Sequence, residues 1–230
     1  MSSVMAVSLG IGVARFYQGR RAGVLGYGSP VPEKESKMNA TELFLQRYVI
    51  YCDYFFANFW KNIPEELMRP RPDPRVNSIA WNLWHIARVE DAGLNRFITD
   101  GVQVFDEGGF DQRLNIPFRH QGTGMNFAEV DELSRRLNLP ALREYGIQIQ
   151  ARTKSIVKAL DPNDLDGTVE VAHLRKILLD EGLAKPGEEG LVENYTGWNK
   201  GRYLMSFGMT HLFQHAGEIG VIASLLGLDI

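Results

Sequence analysis

The sequence predicts an all-α protein, a four-helix bundle with long connections between its helices. Three features carry that expectation. Apolar residues recur at three- and four-residue steps in four long stretches, capping residues or prolines bound those stretches, and no run alternates as a strand would. No internal repeat interrupts the pattern.

The elements follow in chain order. Met1 to Pro32 contain no acidic residue, carry Arg15, Arg20 and Arg21, and are rich in glycine and serine, so little core can form there. No basic residue precedes the modest apolar stretch Val4 to Ala14, which argues against a secretory signal. Residues 1–37 therefore read as a disordered or targeting-like extension, and residues 38–230 as the folded domain. The glycines at 10, 12, 23, 26 and 28 lack the flanking strand and helix of a dinucleotide fingerprint.

Asn39 followed by Glu42 resembles a capping box, and a first helix runs through Tyr48, Tyr51, Phe55 and Phe59 until Pro64. After the proline-rich connector at 69–75, Asn77 or Ser78 caps a second helix carrying Ile79, Leu83, Ile86 and Phe97, which ends near Gly101. The segment from Gly101 to Gly124 has no sustained period and reads as a long connection, with a short helix at 127–137. Pro140 opens a third helix with Leu142, Tyr145, Ile149, Ile156 and Leu160, closed by Asp161-Pro162. A short helix at 171–181 and a Gly-rich loop precede the fourth, from Arg202 to Leu226.

That last helix holds the most informative residues. His211 and His215 are four apart, and Leu204, Gly208, His211, His215, Glu218, Ile222 and Leu226 fall on one helical face. Side chains at i and i+4 lie one above the other, so two imidazoles can converge on one ion. Placing them in a core seam is costly unless hydrogen bonds or a metal compensate, and the pair alone leaves these two readings level. His85, beside Trp81 and Trp84, tips the balance towards metal if its helix packs against the last one. Glu218 is the candidate catalytic group, as a residue orienting a ligand first, and otherwise as a base or a fourth ligand.

Other residues weigh less. Glu90 and Asp91 follow His85 and read first as solvent-facing charges. His120 and His173 read as ordinary loop or surface histidines, and Cys52 as a small core residue rather than a nucleophile. The HExxH pattern of zinc proteases is absent, because Leu212 stands where its glutamate would be.

Composition excludes several classes. With 44% hydrophobic and 23% charged residues over 230, the chain is an ordinary globular protein with room for one core. Its net charge is −3, and the first 37 residues hold five basic against two acidic, leaving 20 basic against 26 acidic in the rest. Neither nucleic acid nor a membrane is an expected partner. The single cysteine excludes an internal disulfide and a thiolate cluster, compatible with a reducing compartment and a cytoplasmic location.

Asn82-Leu83-Trp84-His85-Ile86-Ala87-Arg88-Val89-Glu90-Asp91, followed by His211-Leu212-Phe213-Gln214-His215-Ala216-Gly217-Glu218-Ile219, resembles the DinB superfamily of four-helix metalloproteins over roughly residues 38–230. The resemblance implies one divalent metal on His85, His211 and His215. Family activities include thiol-dependent S-transferases and isomerases using low-molecular-weight thiols such as bacillithiol or mycothiol, and the amino-terminal domain of ergothioneine-synthesising sulfoxide synthases. The stretches Gly101 to Gly124 and Gly182 to Lys200 exceed the compact family pattern.

Three neutral ligands leave an ion its full charge and an open position for water or a thiol. The leading expectation is therefore a metal-dependent thiol S-transferase acting on an electrophilic small molecule, with Zn, Ni or Fe as the ion and a low-molecular-weight thiol as cosubstrate. The alternatives are a metal-dependent hydrolase, or a metal-binding stress-response or binding protein without turnover. A homodimer is compatible with either.

Overall fold

In the computed structural model, residues 38–230 are described, and the expectations for residues 1–37 lie outside them. The Asn39 side chain accepts the Glu42 N–H at 2.9 Å while the Glu42 carboxylate accepts the Asn39 N–H at 3.1 Å. This reciprocal box satisfies two otherwise orphaned donors and starts helix α1, residues 40–62. The helix stops at Ile63, held extended before Pro64. Helix α2 occupies residues 79–98, and of its two candidate caps Ser78 is the one used, accepting the Trp81 N–H at 2.9 Å. Asn138 caps α3, Leu139–Ala159, with Pro140 in the first turn where its missing N–H is harmless. Asn199 caps α4, residues 200–225, accepting the Arg202 N–H at 2.8 Å.

The two shorter helices expected at 127–137 and 171–181 are present at Phe127–Arg136 and at residues 171–180. The long 101–124 connection contains two single turns, Val104–Glu107 and Phe110–Arg113. No strand forms among the described residues, where the one β-type pairing is an isolated bridge between Thr168 and Asn199. No helix among them is long and apolar enough to cross a membrane.

Helices α1 and α2 each pack against α3 and α4. Every residue of α2 from Ser78 to Asn95 is buried, because Phe127–Arg136 and the 101–124 connection close over the sides that the bundle leaves open. Trp84, Leu94, Tyr48, Tyr145, Leu212 and Ile219 form the common core. Each large apolar side chain removed from water contributes about 1.5–3 kcal/mol. Gly93 lets α2 and α4 approach closely, since a Cβ there would lie 2.5 Å from Phe207 Cβ.

Two features depart from the sequence reading. The long helices are not uniformly α-helical: π-helical turns occupy Tyr51–Phe56 in α1, Gly93–Ile98 in α2 and Ser206–Thr210 in α4. The last of these ends immediately before His211, and such wide turns recur at functional sites. The charges on α2 are also buried rather than solvent-facing. Glu90 is 2% exposed and accepts hydrogen bonds from Tyr48 and Thr153. Asp91, fully buried, accepts from Tyr145 Oη at 2.6 Å and from the Val104 and Phe105 N–H groups at 2.9 and 2.8 Å. Enclosure forces these polar groups into internal pairs, because a buried charge without partners is prohibitively costly.

Candidate metal centre

Helices α2 and α4 bring His85, His211 and His215 together, with one ligand nitrogen from each inside a span of 4.8 Å. The ring centroids lie 4.4–4.9 Å apart, steeply inclined to one another. The i,i+4 geometry of α4 stacks His211 over His215, and α2 supplies the third imidazole from across the interface. Trp81, one turn before His85, stacks on its ring at 4.5 Å and shields one side.

Hydrogen bonds settle which nitrogens face inward. His85 Nδ1 meets the Gln121 carbonyl, an acceptor only, so Nδ1 carries the proton and Nε2 the lone pair. His215 Nδ1 lies 2.9 Å from Asn82 Oδ1 and 2.7 Å from Glu218 Oε2. Asn82 Nδ2 donates to the Ser78 carbonyl at 3.0 Å, which turns Oδ1 towards the imidazole. Both neighbours accept, so the His215 Nδ1 carries a proton, and in the neutral ring Nε2 holds the lone pair.

His211 completes the cluster and is not satisfied by it. Its Nε2 is 3.0 Å from His85 Nε2, while its Nδ1 is buried without a partner. A proton on Nε2 satisfies His85 and leaves Nδ1 a bare acceptor. A proton on Nδ1 leaves that donor bare and sets two lone pairs against each other. Either arrangement costs about 1–3 kcal/mol. A cation between the nitrogens removes the repulsion, and at a tetrahedral centre with bonds near 2.0–2.1 Å two nitrogens sit about 3.3 Å apart, close to the observed separation. The donor set therefore fits a divalent ion.

Electrostatics point the same way. Burial, and secondly the neighbouring His215, push His85 down to about 3, and burial with the two other imidazoles holds His211 well below the ordinary histidine range. Both are neutral at physiological pH with lone pairs free. Glu218 is held below the usual carboxylate range by its hydrogen bond to His215 and is 41% exposed.

The remaining candidates lie elsewhere. Glu90 and Asp91 serve the internal pairs described above. His173 faces Asp100 at 3.3 Å. His120 is buried against Trp84 and outside the three-histidine cluster, with its Nδ1 accepting the Gly122 N–H at 3.1 Å. Cys52 is a buried core thiol, pushed up to about 12 chiefly by desolvation and then by Glu90. Sequence reasoning missed Asn82 and Gln121. Asn82, one turn before His85, had a detectable signal in its spacing, whereas a backbone carbonyl has none.

A family model described as the DinB superfamily matches residues 56–219. Among solved structures, a conserved protein from Enterococcus faecalis aligns with a TM-score of 0.59 at 15% identity, covering 83% of this chain and 99% of that one, a likeness of fold. No curated protein matches significantly. The chain belongs to the DinB superfamily.

Proposed function

We propose that the protein holds one divalent metal ion on His85, His211 and His215 and acts as a thiol S-transferase, joining a low-molecular-weight thiol to an electrophilic small molecule. The observation that carries the reading is the orientation of the imidazoles: His85 and His215 have their Nδ1 protons engaged outside the cluster, so their Nε2 atoms face inward, where His211 Nε2 lies 3.0 Å from His85 Nε2. A divalent ion bound there supplies a Lewis-acid centre at which a thiol or water loses its proton near neutral pH.

The chain's own residues do the rest. Gln121 and Asn82 keep two rings in the donor tautomer, and Trp81 shields the His85 ring from water. Glu218 orients His215 and also fronts a groove of about 600 Å³ whose lining includes Val76, Asn77, Val221 and Ile222. That volume suits a small molecule, with apolar walls to hold its body and the Arg75 and Glu218 side chains as its charged lining. Imidazole ligands suit Zn, Ni or Fe. The buried Cys52 makes no disulfide demand, in keeping with a cytoplasmic setting.

The test is elemental analysis of protein purified without added metal, followed by thiol-conjugation assays on the same material. Metal-dependent formation of a thioether product is the expected result. Bound metal with no turnover would favour the stress-response or binding role, and thiol-independent hydrolysis of an activated ester would favour the hydrolase.

A further inference from the structure

We infer that Arg88 is a positioning residue for the three-histidine site, acting through the turn at residues 119–122. Arg88 is fully buried, one helical turn beyond His85. Its Nη2 donates to the Arg119 carbonyl at 2.6 Å, and its Nη1 donates to Gln103 Oε1 at 3.0 Å and Tyr145 Oη at 3.1 Å. The guanidinium also lies 3.8 Å from the centre of the Phe105 ring. Asp91, 3.8 Å from Arg88, takes the Val104 and Phe105 N–H groups. One turn of α2 thus grips both the beginning and the end of the connection between α2 and the Phe127–Arg136 helix.

The grip matters because of what lies two residues further on. The Gln121 carbonyl is the acceptor that holds the proton on His85 Nδ1. Gly122 follows at φ +102, packed so tightly that a Cβ would lie 2.6 Å from Trp84 Cζ3 and 3.2 Å from His85 Nδ1. The Gln121 N–H is tied separately to the Leu183 carbonyl at 3.0 Å, which steadies the turn from the outer side. Arg88 sets it from the inner side. If the carbonyl moves, the proton redistributes between Nδ1 and Nε2, and an Nε2–H imidazole has no lone pair to offer the cluster. A planar guanidinium reaches three acceptors at fixed angles, which a lysine ammonium on a flexible stem cannot reproduce.

This inference deepens the metal-site reading and rests on it for its consequence, but its primary readout needs no metal. In full-length protein labelled with 15N-histidine and treated with chelator, long-range 1H–15N correlation spectra report each ring's tautomer. Wild type should show His85 as Nδ1–H. Arg88→Lys keeps the positive charge beside Asp91 and removes the fork; Gly122→Ala pushes the turn off Trp84 and His85 while leaving Arg88 intact. In both variants His85 should become a tautomer mixture, His215 should keep its Nδ1–H form, and zinc affinity measured by chelator competition should fall about 10–100-fold.

A folded Arg88→Lys protein with His85 wholly Nδ1–H and wild-type zinc affinity would overturn the inference. So would an Nε2–H His85 in wild type. Should Arg88→Lys fail to fold, an unchanged tautomer and affinity in Gly122→Ala would overturn it equally, because the position of the turn would then not matter. If wild type binds no zinc, the metal reading fails while the tautomer comparison still decides the role of Arg88.

Discussion

Replacing Glu90 by glutamine should flatten the pH dependence of stability. The Glu90 carboxyl is buried among α1, α2 and α3, and Oε1 accepts from Tyr48 and Thr153. Desolvation outweighs those hydrogen bonds and raises it from 4.5 to about 7. The native state therefore binds up to one proton more than the unfolded chain between those values, so stability falls as pH rises across that window. The contribution is fully present below about 4.5 and is lost as pH passes through about 7. At about 1.4 kcal/mol per pH unit, the gap is worth about 3 kcal/mol. Glutamine keeps an acceptor for both hydroxyls and does not titrate. Urea unfolding followed by circular dichroism at pH 4.5 to 8, with chelator present, should show the variant gaining about 3 kcal/mol on wild type from the acid to the alkaline end. Other titrating groups are common to both proteins and largely cancel. Parallel profiles would refute the reasoning and mean that Glu90 is solvated or paired in the native state.

Three further outcomes follow from packing and from the site. Gly93→Ala should destabilise by about 1–3 kcal/mol, because its Cβ would enter Phe207; Gly220→Ala, with open space around it, should be neutral or stabilise by up to about 1 kcal/mol, and equal urea midpoints for the two would contradict the close approach of α2 and α4. Glu218→Gln should weaken zinc binding towards the lower end of the 10–100-fold range, about tenfold, because Asn82 still holds His215 Nδ1; unchanged affinity by chelator competition would make the carboxylate irrelevant, and complete loss would make it a ligand. A chain starting at Met38 should unfold cooperatively at the full-length temperature, since the Asn39 cap already begins the core; a lowered melting temperature would mean that the first 37 residues contribute to the fold.

The helices were legible because their ends carry chemistry that acts locally. Asn39 with Glu42, Ser78, and Asn138 with Pro140 each satisfy backbone donors within three residues, so the signal survives without tertiary context. The π-helical turns were not legible, because a one-residue slip in the hydrogen-bond ladder leaves the apolar pattern nearly intact. Glu90 and Asp91 misled for another reason. Charges on a helix ordinarily mark its wet face, whereas here Glu90 is enclosed by Tyr48 of α1 and Thr153 of α3, and the 101–124 connection closes over Asp91. The histidines could be read as a set, from i,i+4 spacing on one helix and a resemblance on another. Their supporting shell could not, since the Gln121 carbonyl reaches His85 across 36 positions of chain.

Metal stoichiometry in histidine variants decides whether three imidazoles jointly hold one divalent ion. Wild type, His85→Ala, His211→Ala, His215→Ala and a His173→Ala control would be purified identically, loaded with zinc, passed through a desalting column and analysed for bound metal per chain. Wild type and His173→Ala should each retain about one ion and the other three variants should lose most of it, because two imidazoles alone hold an ion weakly. Stoichiometric zinc retained by His211→Ala and His215→Ala would contradict joint binding by the three.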